Sequence, residues 1–181
     1  MTTSKAIAIA GLMFALALLG PASALANTGG TDRPMTCTVS GSTQIHIEDG
    51  FTTETFSGDF AGVCSLLGRY TSHSEGLLDA STQDCIHPCT TTTVAANGDQ
   101  ITGTFGETTR TDNGCINTNT SVTTVTGGTG RFADASGTLT AVLSANDCEL
   151  RLSEDCFQTP LVSCTVFRDH VEGTLTGRIN Y

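Results

Sequence analysis

Residues Thr126 to Thr140 read TGGTGRFADASGTLT: four glycines and two alanines around one arginine and one phenylalanine, ending in a strand-like GTLT. A phosphate-cradling loop would set its glycines between a strand and a helix, and a P-loop would carry Gly-Lys-Ser/Thr. Here a strand follows, and the stretch holds no lysine. The phosphate reading fails on both counts. What remains is a tight connection: Gly127, Gly128 and Gly130 turn the backbone, Phe132 packs over one end of a core, and Ala133, Ala135 and Gly137 let backbone pass close to backbone. A turn of this kind joins two strands, so its flanks decide the fold.

Those flanks are β throughout. Val171 to Ile179, VEGTLTGRI, alternates cleanly, with Val171, Gly173, Leu175, Gly177 and Ile179 on one side and Glu172, Thr174, Thr176 and Arg178 on the other. Gly137 to Ser144 repeats the pattern, except that Val142 falls on the polar side. Thr90 to Ala96 and Gln100 to Thr108 flank Asn97-Gly98-Asp99, a hairpin turn whose glycine tolerates positive φ. Gln44 to Glu48 and Thr118 to Thr126 are further strands; in the second, Val122 and Val125 are out of step, which predicts a bulge. Thr36 to Ser40, Thr52 to Phe60, Gly68 to His73 and Val162 to Phe167 complete the set. Short, Gly-punctuated strands with no helical period after the N-terminus predict an all-β antiparallel barrel or sandwich. Gly103, Gly106, Gly137, Gly173 and Gly177, inside strands, favour a strongly curved barrel of about eight strands.

The compartment is written in the first 26 residues. Lys5 precedes an apolar run, AIAIAGLMFALALLG, then Pro21 and the small-residue site Ala24-Leu25-Ala26. This is the pattern of a secretory signal peptide over 1–26, cleaved after Ala26, leaving a barrel domain over 27–181 with a Cys-rich loop near 146–164. The apolar run is shorter than the roughly 20 residues that span a bilayer, so no membrane span is expected. After Ala26 the chain carries eighteen acids against seven arginines and no lysine. Such a charge repels nucleic acid and anionic membrane surfaces, and it keeps an exported protein soluble.

All eight cysteines, Cys37, Cys64, Cys85, Cys89, Cys115, Cys148, Cys156 and Cys164, follow the signal peptide. An even set in an exported chain reads as disulfides, up to four, with the pairing left open. Cys85-Ile86-His87-Pro88-Cys89 offers two thiols and an imidazole to a metal, but it lacks the paired C-x2-C spacing, and an oxidising compartment removes thiolates; no metal and no cofactor are assigned. Bridges suit a sequence with two tyrosines and no tryptophan, which has little large apolar surface to bury.

With these elements in place, VTGGTGRFADASGTLT resembles the turn-and-strand signature of the allene oxide cyclase and dirigent superfamily, in which Gly-Gly-Thr-Gly-x-Phe is followed by Ala-x-Gly and a strand. The likeness extends to NGDQITGTFGETT upstream and to the closing EGTLTGRINY, about the last 90 residues, with Asn146 to Cys164 as an addition. The resemblance implies an eight-stranded antiparallel barrel, often trimeric, with an apolar cavity. It does not carry an activity across. Dirigent proteins typically place an arginine where this chain has Ser136, and can have an acid where it has Arg131; no allene oxide cyclase catalytic residue is matched.

Residues that could serve a ligand are Arg131, Phe132, Asp134 and Tyr70, around a cavity mouth, and His46, side by side with Glu48 on the polar face of QIHIE. Arg131 and Asp134 could form a local ion pair. Thr111-Asp112-Asn113-Gly114 lacks the ligand series of a calcium loop and reads as a turn, while His73, His87 and His170 have no partner readable from sequence. Ala141, Gly173 and Gly177 on inward faces leave room for a cavity, and Thr and Ser on outward faces weaken the expectation of a trimer. The expected function is binding of a small apolar ligand inside the barrel. The alternatives are a cofactor-free isomerase or cyclase, and a pocketless extracellular interaction protein.

Overall fold

A computed structural model describes residues 31–48, 52–82, 84–157 and 163–181; the expected signal peptide lies outside them. Among the described residues nine strands run in chain order: β1 (Arg33–Glu48), β2 (Thr53–Cys64), β3 (Gly68–Asp79), β4 (Cys89–Ala95), β5 (Gln100–Asn113), β6 (Ile116–Gly128), β7 (Ser136–Asn146), β8 (Arg151–Leu152) and β9 (Ser163–Asn180). Each strand from β1 to β6 pairs antiparallel with the next, β7 pairs with β9, and β9 pairs with β1 from Arg33↔Ile179 to Glu48↔Ser163. That last seam closes an eight-stranded barrel, with β8 only a short annex on β9. Closure leaves no long strand edge unpaired, which is how an all-β chain avoids templating on its neighbours.

Two pairs of expected strands are single strands. Thr36 to Ser40 and Gln44 to Glu48 both lie in β1, while the expected strand from Val162 to Phe167, of which Val162 lies outside the described residues, merges from Ser163 with Val171 to Ile179 into β9. The register between them jumps from Gly41↔Val171 to Thr43↔Arg168, so Asp169 and His170 on β9 face only Ser42 on β1. A bulge resets the alternation without ending the strand. The bulge expected from Val122 and Val125 does not lie between them: β6 alternates without a break from Val122 to Val125 against β7, and its bulge is at Thr126, where Thr102 pairs with Gly127 and Gly103 with Val125. Val125 is buried, whereas Val122 faces outward and is exposed, as is Val142.

The opening stretch closes one end of the barrel. Thr129 leads into a 3-10 turn, Gly130–Phe132, with Gly130 at φ +57°. Phe132 is fully buried against a cluster that includes Met35, Leu67, Ile101, Leu139 and Ile179, and the Tyr181 ring packs against it at a tilt of 60°, 4.7 Å away centroid to centroid. The turn at 97–99 packs at this same end and is closed by the Gly98 N–H on the Ala95 carbonyl, 2.9 Å. Of Thr111 to Gly114, expected as a turn, the first three residues are paired in β5; the β5–β6 hairpin turns at Gly114 and Cys115, at the opposite end, with Gly114 at φ +63°.

All eight cysteines pair: Cys37–Cys64, Cys85–Cys89, Cys115–Cys148 and Cys156–Cys164. The last three lie toward the hairpin end, where the packed cluster around Phe132 does not reach. Cross-links there restrict the unfolded chain where burial contributes least. The Cys85–Cys89 bridge removes both thiols from the metal reading of that pentapeptide, and His87 is exposed.

Candidate functional site

Between the closed end and the β5–β6 hairpin the barrel interior holds a cavity of about 190 Å³. The inward row of β7 helps explain why it stays unfilled. Ala141 stands between Leu139 and Leu143 on β7 and lines the cavity; Gly173 and Gly177 on β9, expected to leave room, instead bring their backbone against β7, where a Cβ would sit 2.0 Å from the Val142 carbonyl oxygen and 2.1 Å from that of Thr138. One wall is apolar, built by β7, β9, β1 and β2 from Leu139, Leu143, Leu175, Val39 and Phe60. Phe56 and Phe105 meet edge to face, centroids 6.4 Å apart, on the cavity surface.

The opposite wall is hydroxylic, which differs from the expectation that Ser and Thr face outward. Ser72 and Ser74 on β3 and Thr91 and Thr93 on β4 all line the cavity, joined by Ser121 and Thr123 on β6. They are tolerated because they satisfy one another: Ser72 Oγ lies 3.2 Å from Thr91 Oγ1 and 3.0 Å from Thr93 Oγ1, and Ser74 Oγ donates to Thr91 Oγ1 at 3.0 Å. Gly103, between β4 and β6, lets the Thr123 methyl cross the sheet; a Cβ there would sit 2.7 Å from it.

Of the residues singled out in the sequence, Tyr70 reaches the cavity. Its ring crosses Gly62, where a Cβ would be 2.9 Å from the ring edge, and its hydroxyl donates to the Thr38 carbonyl at 3.0 Å. Burial pushes its pKa up to about 12. Arg131, Phe132 and Asp134 sit at the closed end. Arg131 donates Nη2 to the Leu66 carbonyl at 2.9 Å, lies 3.3 Å from Asp99 Oδ2 and rests 4.7 Å from the Phe132 ring centre. Its ion partner is therefore Asp99, not Asp134, which is exposed. The 3-10 turn aims Arg131 across to the 97–99 turn, a direction strand alternation does not reveal. His46 is on the outer side, its Nδ1 2.9 Å from Thr165 Oγ1; the Glu48 side chain lies outside the described residues. His73 is also outward, with Nδ1 2.7 Å from Asp59 Oδ1 and Nε2 3.7 Å from Glu75 Oε2. The Asp59 hydrogen bond raises its pKa above the usual imidazole value.

Two arginines absent from the sequence reading line the cavity toward the hairpin end, Arg110 and Arg168. Each is brought inward by a bulge. The β5 register shifts between Phe105 and Thr108, so that Thr108 and Arg110 continue the inward row of Ile101 and Phe105; the β9 shift does the same for Arg168. Both meet Asp147. Arg168 Nε donates to Asp147 Oδ1 at 2.8 Å and Arg110 Nη2 to Asp147 Oδ2 at 3.1 Å, while Arg110 Nε donates to Asp112 Oδ1 at 2.9 Å. Buried Asn117 donates Nδ2 to Asp112 at 3.1 Å and to Asp147 at 3.2 Å. The signal that could have exposed these arginines is a charge in an inward row just after the alternation breaks.

No family model, curated protein or solved structure matches the chain.

Proposed function

We propose that the protein is an exported binding protein, of the allene oxide cyclase and dirigent barrel kind, that holds a small apolar ligand inside its barrel. The observation that carries this is the cavity, about 190 Å³, with the small Ala141 on its wall between Leu139 and Leu143. An apolar void of about 150 Å³ suffices to take up benzene. Four disulfides support export, because such bridges persist in oxidising compartments. An isomerase or cyclase would want an interior group poised to move a proton near neutral pH. Tyr70 is the reverse, held protonated by burial and committed to Thr38. Binding is therefore preferred to catalysis.

The test is a titration of methyl-labelled protein with benzene, followed by NMR. Shifts at the Leu139, Leu143 and Leu175 methyls, with the exposed Val63, Val122 and Val142 methyls unmoved, are expected. Unmoved interior methyls at saturating benzene refute the proposal.

A further inference from the structure

Building on the interior-binding reading, we infer that the ligand carries an anionic head, a carboxylate or an anion of like shape, held by Arg168 and Arg110 while its apolar body fills the barrel.

Arg168 is the stronger of two observations. Its side chain is 13% exposed, yet only Nε has a protein partner, Asp147; neither terminal Nη group has an acceptor among the described residues. No sealed side-chain nitrogen or oxygen in those residues lacks a partner, so these Nη groups border open space, and Arg168 lines the cavity. A guanidinium withdrawn this far from water loses hydration that unused N–H groups do not regain. An anion seated between them would complete the set, and a planar carboxylate matches the guanidinium fork.

Arg110 supplies the second. Its Nε and Nη2 are held by Asp112 and Asp147, while Nη1 has no partner among the described residues. The two carboxylates that position these arginines are not part of the cavity wall, so the wall itself presents guanidinium and not carboxylate. Asn119, also on the wall, donates Nδ2 to Asn117 Oδ1 at 2.8 Å and belongs to the same polar frame. In a chain of net charge −10, arginines kept for solubility or for offsetting surface acids would point outward. Two of them instead turn inward, each just past a bulge that resets its strand's alternation.

The test compares hexanoate with hexan-1-ol, two probes with the same tail, by calorimetry and by the interior methyl shifts at neutral pH. Hexanoate is expected to bind about tenfold tighter, the factor that one charge-assisted hydrogen bond conveys. Arg168→Gln should bring that ratio close to one while hexan-1-ol binding persists. Should Arg168→Gln fail to fold, Arg110→Gln, at a more exposed side chain, should reduce the same ratio by severalfold. If the alcohol binds as tightly as the acid, or the ratio survives both substitutions, the anionic head is refuted and interior binding stands. If neither probe moves the interior methyls, interior binding itself falls, and this inference with it.

Discussion

Replacing Ala141 with leucine gives the cavity a sign test. Ala141 lies on its wall, across from Ser121 on β6 and Leu175 on β9. Leucine adds three carbons; at about 0.8 kcal/mol per buried methylene the transfer gain is about 2.4 kcal/mol. Fixing the leucine rotamer takes back about 0.5–1 kcal/mol. The net, about 1.5 kcal/mol of added stability, corresponds to a rise in Tm of about 3–6 °C for a domain of this size. In a filled barrel the same change would be overpacking and would lower stability by about 1–3 kcal/mol. The two cases differ in sign, not merely in size. Thermal unfolding followed by circular dichroism reads the answer, with Thr140→Leu on the outer face of the same strand as the control, expected to stay within about 0.5 kcal/mol of the parent. A fall in Tm for Ala141→Leu while the control is unchanged refutes the open interior. Benzene and hexanol binding should weaken in the stabilised variant, since the added side chain occupies their volume.

Arg131→Ala should lower stability by about 1 kcal/mol, from the lost Leu66 carbonyl and Asp99 contacts of a half-exposed side chain, and leave ligand affinity unchanged; lost affinity at unchanged Tm would move the site to the closed end. Removing the Cys115–Cys148 bridge as a double serine variant should cost about 3–4 kcal/mol, given the 33-residue separation it spans, read by denaturant unfolding. His73 should titrate above its unfolded value of about 6.5, because the Asp59 carboxylate holds its proton, and Asp59→Asn should lower the midpoint seen by NMR. The stabilisation from that pair is complete below the unfolded pKa and is lost as pH rises through the higher folded one, so Asp59→Asn should matter less to stability in alkaline than in mildly acidic solution.

The barrel was legible because its alternation is regular over most of its length. Leu139, Ala141 and Leu143 face in and Thr138 and Thr140 face out, as the period of two requires. The reading broke where bulges reset the phase. A period-two pattern that flips between Phe167 and Val171 looks like two strands, and the residue carried inward by the flip, Arg168, looks like a surface charge. The hydroxylic wall was missed for a different reason. Ser72 and Thr91 face the interior because they hydrogen-bond across adjacent strands, and that pairing depends on the β3–β4 register, which connects residues 19 positions apart. Phe132 was legible as an end plug, since a lone aromatic in a glycine-rich turn has one place to go; the partners of its neighbour Arg131 were not, because they come from two other turns.

The seam between β1 and β9 has a temporal meaning. The first strand made and the last are the two that must meet, and β9 also supplies the partner for β7. Until Asn180 has left the ribosome, β1 lacks one neighbour, β7 lacks the other, and the apolar wall lies open to water. Long-range pairing of this sort is slow to form. The polypeptide therefore spends its synthesis unclosed, the condition in which a chain can be threaded through a narrow channel before it sets.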